Sequence, residues 1–228
     1  MLKRSFDIAI SSLALIVFSP VLVVIASIIR CKDGSPVLYR GLRVGRFGQT
    51  FRVLKFRTMV ADAERLGGSA TSDSDSRITP IGKLLRKHKL DELPQLINVW
   101  KGDMSLVGPR PEVPAYIALM SVAEKTVLTV RPGITDWATL WDADEGALLA
   151  HFDDPEKAYE ELVLPEKIKL QLRYVRNHSF LVDLVILWKT LHAVIFKPVP
   201  GSFALLAQTR EMGQSEPVSA SAAGSEVR

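Results

Sequence analysis

Asp91 and Glu92 stand side by side just before Pro94. Proline is favoured in the first turn of a helix, where its missing N–H costs little, so the pair is expected at or just before a helix N-terminus. Free amides and the helix dipole at that end favour an ionised carboxylate. An ionised aspartate can attack a phosphoryl group and form an acyl phosphate, whereas the simpler interpretation is that both acids cap the helix.

Basic residues surround this acidic pair. Arg86 belongs to a basic run just before it, and Arg110 follows it between Pro109 and Pro111. The two prolines restrict the backbone of Arg110, and a fixed guanidinium suits bidentate contacts with phosphate. Carboxylates among cations are typical of a site for an anionic ligand bridged by Mg²⁺, which binds one or two carboxylates together with substrate phosphates. A solvated basic face, or one attracted to anionic lipid, is the alternative.

Several predicted elements would position these residues. Residues 37–57 alternate apolar and basic side chains around glycines, which is typical of one or two short strands or a hairpin. Residues 78–89 favour a short basic helix, and apolar residues at i, i+3, i+4 and i+7 from Leu93 to Trp100 predict an amphipathic helix. Further helices are predicted over 112–130, 155–177 and 180–196. The last of them is strongly apolar and fits either the membrane interface or the core.

The N-terminal region is long and apolar. No charged residue occurs from Ile8 to Ile29, and a straight helix over this stretch would be roughly 33 Å long, enough to cross a bilayer core. The stretch is too long for a typical signal-peptide core and lacks a small-residue cleavage site before Arg30, so we expect it to be retained. A single membrane-spanning helix is the simplest interpretation.

Two features favour a hairpin that enters one leaflet and returns. Basic residues flank both ends of the segment, and since they prefer the cytoplasmic side, both ends are satisfied only on the same side. Ser19-Pro20 lies at the middle, where proline removes a backbone hydrogen bond and kinks or breaks a helix. Because spanning helices also tolerate proline, a kinked span stays the alternative.

The composition limits the class of protein. The 228 residues suit one domain, with or without a tail, and carry a net charge of +4 with 47% hydrophobic residues. The mean hydropathy of +0.15 reflects the N-terminal segment, and since no comparable series of apolar spans follows, a multi-span transporter is excluded. The single Cys31 excludes a disulfide framework and a cysteine-based zinc site, and the four histidines lack metal-ligand spacing.

Taken together, the motifs resemble those of the bacterial sugar transferases, the monotopic phosphoglycosyl transferases that initiate glycan assembly on a polyprenyl carrier. The resemblance runs from about Lys3 to Thr190 and depends on an ordered set of motifs. After the apolar segment with Ser19-Pro20 come KFRTM (55–59), LDELPQLINV (90–99), KGDMSLVGPRP (101–111), RPGIT (131–135), YVRN (174–177) and SFL (179–181). Each motif alone is weak, and their order carries the resemblance.

The resemblance implies an α+β, mainly helical fold. Residues 1–33 would form a re-entrant membrane helix-break-helix hairpin, broken at Ser19-Pro20, and residues 34–197 a small cytosolic catalytic domain with interfacial amphipathic helices. The protein would then lie on the cytosolic face of the bacterial inner membrane. Residues 198–228 are small and polar and are expected to form a disordered tail.

The implied reaction is transfer of a sugar 1-phosphate from a nucleotide sugar, usually a UDP-sugar, to polyprenyl (undecaprenyl) phosphate. Such a step initiates exopolysaccharide, capsule, O-antigen or glycoprotein glycan synthesis. Asp91 matches the family nucleophile, which forms a covalent phosphosugar intermediate, and Glu92 matches the glutamate associated with Mg²⁺. Phosphate or substrate binding is expected of Arg86, Arg110, Lys55 and Arg57.

The sequence departs from the commoner family pattern after Thr135. It has DWATLW at 136–141, where many members have GWAQVN, and an acidic stretch over 142–154 follows. The identity of the sugar is therefore not carried over. Two other functions stay open: a lipid-linked glycosyltransferase that releases nucleoside diphosphate, and a non-catalytic basic scaffold anchored to membrane lipid. Nucleic acid is not an expected partner, and self-association is left open.

Overall fold

The computed structural model describes residues 2–68, 70–141 and 145–196, so the tail expected at 198–228 lies outside the described residues. The described part is mainly helical and contains two small sheets. The helices are α1 (Leu2–Lys32), α2 (Ala63–Leu66), α3 (Pro80–Lys87), α4 (Gln95–Lys101), α5 (Pro114–Leu119), α6 (Trp137–Trp141), α7 (Glu145–Leu149), α8 (Pro155–Ala158), α9 (Leu164–Asn177) and α10 (Phe180–Phe196). The strands are β1 (Leu38–Val44), β2 (Thr50–Phe56), β3 (Ser105–Val107) and β4 (Gly133–Thr135).

Helix α1 continues through Pro20, so the break expected at Ser19-Pro20 is not found. Pro20 has no N–H to donate to the carbonyl of Ile16, four residues earlier. The Ser19 hydroxyl donates to that carbonyl instead, at 2.8 Å. Side-chain hydroxyls satisfy freed backbone groups in this way in apolar helices. The proline is therefore accommodated within the helix and does not end it.

Both halves of α1 pack against the same domain. Asp7 and Ser11 are buried in the first half, and Ile25 and Ile29 are buried in the second, whereas every residue from 16 to 21 is exposed. The apolar middle of the helix thus stands clear of the domain while the regions on either side of it touch the domain. By length and hydropathy, α1 is the one helix within the described ranges that could cross a membrane.

Polar contacts fix the N-terminal end of α1. Lys3 Nζ lies 2.5 Å from Asp183 Oδ2 on α10 and 3.1 Å from the Tyr174 hydroxyl on α9. Arg4 donates to two carbonyls in the last turn of α4, at 2.6 and 2.8 Å, where the helix dipole favours a cation. The buried Asp7 carboxylate accepts two hydrogen bonds from β3. The charges before the apolar segment therefore serve as attachments to the domain.

The predicted hairpin over 37–57 is confirmed, because β1 pairs antiparallel with β2 over its whole length. Val53 and Phe56 of β2 each join an apolar cluster that also receives side chains of α1. Helix α4 lies beside β2 and is joined to it by Asn98, whose side chain accepts the Leu54 N–H and donates to the Arg52 carbonyl, both at 2.9 Å. The strand and the helix are thereby held at a fixed distance.

Most of the other predicted helices are confirmed, but one is divided and one strand pair was not predicted. The helices expected over 78–89, 93–100, 155–177 and 180–196 are confirmed by α3, α4, α8 with α9, and α10. The helix expected over 112–130 is instead α5 and a separate 3₁₀ helix, Glu124–Thr129. The parallel pair β3–β4 was missed, since three residues are too few to show strand alternation. The acidic stretch 142–154 contains α7, and its residues 142–144 lie outside the described ones.

Candidate active site

Asp91 and Glu92 lie in a short 3₁₀ helix, Leu90–Glu92, between α3 and α4. Lys89 has a left-handed backbone (φ 54°), which turns the chain out of α3 immediately before the pair. Pro94 directly precedes α4, so the acids do stand just before a helix, as the sequence predicted. Two successive helices therefore meet at the acidic pair and fix its position.

Two cations from different elements hold the Glu92 carboxylate. Arg110 donates from Nη1 to Oε2 at 3.1 Å and from Nη2 to Oε1, and Lys55 of β2 donates to Oε1 at 2.7 Å. Burial raises the pKa of Glu92, but the charges and hydrogen bonds of Arg110 and Lys55 outweigh burial and hold the pKa well below its usual range. Glu92 is therefore ionised at neutral pH and fixed in orientation.

The same contacts shift the pKa values of Arg110 and Lys55. Attraction to Glu92 raises the pKa of Arg110, against the effect of its burial. Burial lowers the pKa of Lys55; the Glu92 charge opposes this shift and the Arg110 charge adds to it. Lys55 is thus the cation of the site whose charge is most easily removed, because a guanidinium stays protonated at any ordinary pH.

Asp91 is in a different state from its neighbour. It is only 7% exposed, and none of the described residues forms a hydrogen bond or ion pair with its carboxylate. Burial raises the pKa of Asp91; the Lys55 charge opposes this shift and the Glu92 charge adds to it. A carboxylate without hydrogen-bonding partners keeps its lone pairs for an electrophile, which is what a nucleophile requires.

The other predicted binding residues fall in two places. Arg86 on α3 donates to Thr58 Oγ1 at 3.0 Å, and its charge acts on Asp91, so it belongs to the site. Arg57 is buried, at 6% exposed, and donates from Nη2 to the carbonyls of residues 33 and 34 at 2.5 and 3.0 Å. Its contacts fasten the C-terminal end of α1 to β2. The structure therefore brings Lys55, Arg86 and Arg110 to the acidic pair, whereas Arg57 donates to carbonyls just after α1.

Asp136 supports the site from the stretch that departs from the family pattern. Its side chain is fully buried. Its Oδ2 accepts the backbone N–H of Arg110 at 3.1 Å, and its Oδ1 accepts the N–H and the hydroxyl of Thr139 at 2.6 and 2.8 Å. Asp136 thus fixes the main chain at Arg110. The sequence drew attention to this acid only as an unusual residue, since its link to Arg110 depends on the pairing of β3 with β4.

Polar side chains of α7 and α9 lie around Arg110. Its carbonyl accepts a hydrogen bond from Gln171 Nε2 at 3.4 Å. After Glu92, the Glu145 charge on α7 also raises the pKa of Arg110, and the buried Lys167 forms an ion pair with Glu145. Glu145, in the acidic stretch, therefore lies close to the candidate site.

The site as a whole suits an anionic ligand. Two carboxylates stand among Lys55, Arg86 and Arg110, so cations are in excess, and both arginines present the planar N–H groups that bind phosphate. Glu92 Oε2 accepts one hydrogen bond and so keeps a lone pair for a cation. Within the described ranges no group of three or more ligating side chains occurs. This donor set fits a Mg²⁺ that takes most of its ligands from substrate phosphates and water.

Comparison with known proteins supports the same family. The model of the family described as bacterial sugar transferase matches residues 1–197. The exopolysaccharide production protein ExoY of Sinorhizobium fredii is 36% identical over 207 residues, with 84% of each chain covered. UDP-N-acetylgalactosamine-undecaprenyl-phosphate N-acetylgalactosaminephosphotransferase of Aeromonas hydrophila is 34% identical over 202 residues, covering 85% of this chain and 44% of that protein. UDP-glucose:undecaprenyl-phosphate glucose-1-phosphate transferase of Escherichia coli is 36% identical over 197 residues, covering 84% of this chain and 39% of that protein.

Proposed function

The chain belongs to the bacterial sugar transferase family, and we propose that it transfers a sugar 1-phosphate from a nucleotide sugar to undecaprenyl phosphate. Two relatives that match most of this chain are named for this reaction with UDP-sugars, which supports a UDP-sugar as donor. Their sugars differ, so no sugar is assigned. The relative named for exopolysaccharide production supports a role at the start of such a glycan.

The observation that carries the proposal is the contrast between the two acids: Asp91 is buried and not hydrogen-bonded, whereas Glu92 is held by Arg110 and Lys55. In the first half-reaction a carboxylate oxygen of Asp91 attacks the phosphorus that bears the sugar. A bond forms between that oxygen and the phosphorus. The bond to the nucleoside monophosphate breaks, and the monophosphate leaves with the electron pair.

In the second half-reaction a phosphate oxygen of undecaprenyl phosphate attacks the same phosphorus. The bond from phosphorus to Asp91 breaks, the carboxylate is restored, and undecaprenyl diphosphate sugar is released. Because the sugar phosphate stays covalently bound to Asp91 between the two half-reactions, the water-soluble donor and the membrane-bound acceptor need not be bound at the same time. One set of phosphate-binding groups then serves both half-reactions.

The cations and Glu92 act on the charge of the phosphates. Arg86 and Arg110 bind and orient phosphate oxygens, and Lys55 helps to keep both acids ionised by lowering their pKa. Glu92 is the residue that would hold Mg²⁺, which supplies neutralisation of diphosphate charge when bound. Arg110 and Lys55 fix the orientation that Glu92 presents for this purpose.

The packing of α1 supports a re-entrant placement in the membrane. Both halves of α1 contact one domain and the middle is exposed, so we propose that the apolar middle enters one leaflet while both ends stay on the same, cytosolic, side of the inner membrane. Because α1 is continuous, this placement requires a bend at Pro20 and not a break. Only Asp183 and Ile186 of α10 are buried, and apolar side chains such as Trp188 are exposed, which supports an interfacial position for α10. The site then lies at headgroup level, where the lipid phosphate is.

The released nucleotide tests the reaction. The chain is reconstituted in lipid nanodiscs with undecaprenyl phosphate, Mg²⁺ and a panel of UDP-sugars, and the nucleotide and lipid products are identified. We expect a nucleoside monophosphate. Release of a nucleoside diphosphate would show plain glycosyl transfer, and absence of turnover with every donor would favour the scaffold.

The covalent step is tested without the acceptor. With a donor labelled in the sugar phosphate, we expect the label to stay on the wild-type protein and to be absent from Asp91→Asn. Asp153→Asn, at an exposed acid outside the site, is the matched control and should be labelled like wild type. Full turnover by Asp91→Asn would overturn the assignment of the nucleophile.

The placement of α1 is tested by cysteine accessibility. In a Cys31→Ser background, Leu2→Cys and Lys32→Cys each introduce one thiol at an exposed position near one end of α1. An impermeant maleimide applied from either side of sealed membrane vesicles should label both positions from the same side. Labelling from opposite sides would show that the helix crosses the membrane.

A further inference from the structure

A groove of about 620 Å³ lies between the outer face of the β1–β2 hairpin and α4. Side chains alternate between the two faces of a strand, so Leu54 in the groove and Lys55 beside it point in opposite directions. Lys55 reaches Glu92, whereas Leu54 lines the groove. The groove is therefore separate from the candidate active site and is formed by the opposite face of the same hairpin.

Three cations converge on this groove: Arg40, Arg52 and Lys101. All three are exposed, and within the described ranges none of them forms an ion pair. Arg52 uses one N–H on the Arg40 carbonyl, at 3.2 Å, which leaves the rest of its guanidinium available. The one acid that lines the groove, Asp103, accepts a hydrogen bond from the Asn98 amide at 3.1 Å. The groove thus has an excess of positive charge that suits an anion such as a phosphate.

The walls between these cations are apolar. Leu38, Leu54 and Ile97 are half-buried and line the groove beside the charged groups. A free phosphate ion would gain nothing from such walls, whereas an amphiphile would bury apolar surface against them. The groove therefore combines the two kinds of surface that a phospholipid presents at the level of its phosphate and glycerol.

The position of the groove agrees with this chemistry. At one end, Leu38 packs against the apolar cluster that contains Ile25 and Ile29 of α1. At the other, the last turn of α4, which carries Lys101, receives the Arg4 side chain from the N-terminal end of α1. The groove thus lies next to the apolar helix at both of its attachments to the domain, where lipid headgroups meet a membrane-embedded helix.

We infer that this groove binds the headgroup of an anionic phospholipid, with Arg40, Arg52 and Lys101 on the phosphate and the leucines and Ile97 against the glycerol and upper acyl chains. The inference depends on the groove and on α1, and does not depend on the proposed reaction. Bound lipid would link the hairpin that carries Lys55 to the membrane surface, and so hold the active site at a constant depth.

The full chain is purified in a mild detergent and titrated with phosphatidylglycerol or phosphatidylcholine of the same acyl chains, and bound lipid is counted by native mass spectrometry. We expect phosphatidylglycerol to bind at least tenfold more tightly. The variant Arg40→Gln/Arg52→Gln/Lys101→Gln should lose this preference. Lys125→Gln/Lys169→Gln/Arg173→Gln removes the same charge at exposed positions outside the groove and should retain the preference. Circular dichroism establishes that each variant is folded.

Each of the following results would count against the inference. Equal affinity for the two lipids would show that charge is not recognised, and unchanged phosphatidylglycerol binding by the groove variant would place the lipid elsewhere. Displacement of the lipid by millimolar inorganic phosphate or by a polyuridine RNA would assign the groove to a free ion or to nucleic acid. If the triple variant does not fold, Lys101→Gln alone should still weaken phosphatidylglycerol binding severalfold, and unchanged binding would count against the groove.

Discussion

Replacing Asp136 by asparagine tests whether this carboxylate holds the main chain at Arg110 in place. The carboxylate offers two acceptor oxygens: one receives the Arg110 N–H at 3.1 Å, and the other receives two donors of Thr139 at 2.6 and 2.8 Å. An asparagine amide has one acceptor and one donor group, so it satisfies one side and turns an NH₂ toward the N–H on the other. Asp136→Asn therefore leaves a buried donor without a partner while the shape of the side chain is kept.

The expected cost follows from these contacts. An unpaired buried N–H costs about 1–3 kcal/mol, and loss of a negative charge at the start of α6 costs about 0.3–1 kcal/mol. Removing a buried charge recovers part of its desolvation cost, so we expect a net loss of stability of about 1–3 kcal/mol. For a chain of this length that lowers the melting temperature by roughly 2–12 °C. If displacement of Arg110 removes about 1.4 kcal/mol of transition-state stabilisation, kcat/KM for the donor falls about tenfold.

Thermal unfolding followed by circular dichroism, together with steady-state turnover, measures both effects. Thr139→Val is the matched control, because it removes one hydroxyl donor and leaves both hydrogen bonds that Asp136 accepts from backbone N–H groups. We expect it to lose about 1 kcal/mol of stability and to keep wild-type turnover. An Asp136→Asn variant with wild-type melting and wild-type turnover would refute the view that this carboxylate holds Arg110 in place.

Three further predictions concern Lys55, Ser19 and Arg57. The Lys55 charge lowers the pKa of Asp91, so Lys55→Met should raise that pKa and move the acid limb of the pH–rate profile to higher pH; an unmoved limb would show that Asp91 does not set it. Ser19→Ala leaves the Ile16 carbonyl without its donor and should cost about 1–3 kcal/mol in thermal unfolding in nanodiscs, so unchanged melting would mean that another group satisfies the carbonyl. Arg57→Met should lower stability by about 1–3 kcal/mol with the donor KM unchanged; a raised KM at wild-type stability would instead indicate substrate binding.

The acidic pair shows which features a sequence predicts when those features depend only on neighbouring residues. Pro94 after Asp91 and Glu92 predicted their place before a helix, and the structure confirms it, because capping and proline geometry depend only on neighbouring residues. The β1–β2 hairpin was predicted for the same reason, from alternation of side chains over a few residues. The sequence could not distinguish the two acids, since their difference lies in the partners that distant segments bring.

The partners of Arg57 and the continuity of α1 at Pro20 could not be predicted from neighbouring residues. Arg57 shares a motif with Lys55, yet it follows the end of β2 and donates to carbonyls at the end of α1, whereas Lys55 lies within β2 and donates to Glu92. At Pro20 the expected break did not occur, because the Ser19 hydroxyl takes the carbonyl that proline leaves free. In both cases the outcome depended on which partner atom lay within hydrogen-bonding distance.

The sequence by itself determined the apolar helix, the hairpin, the helices around the acidic pair and, through ordered motifs, the family. Those features follow from periodicity, capping and composition, which act over a few residues. Only the tertiary structure decided that Arg110 and Lys55 bind Glu92 and leave Asp91 free, that Asp136 holds Arg110, and that both halves of α1 rest on one domain. The physical reason is that ionisation and orientation of a buried carboxylate depend on charges within a few ångströms, and these come from residues far apart in the chain.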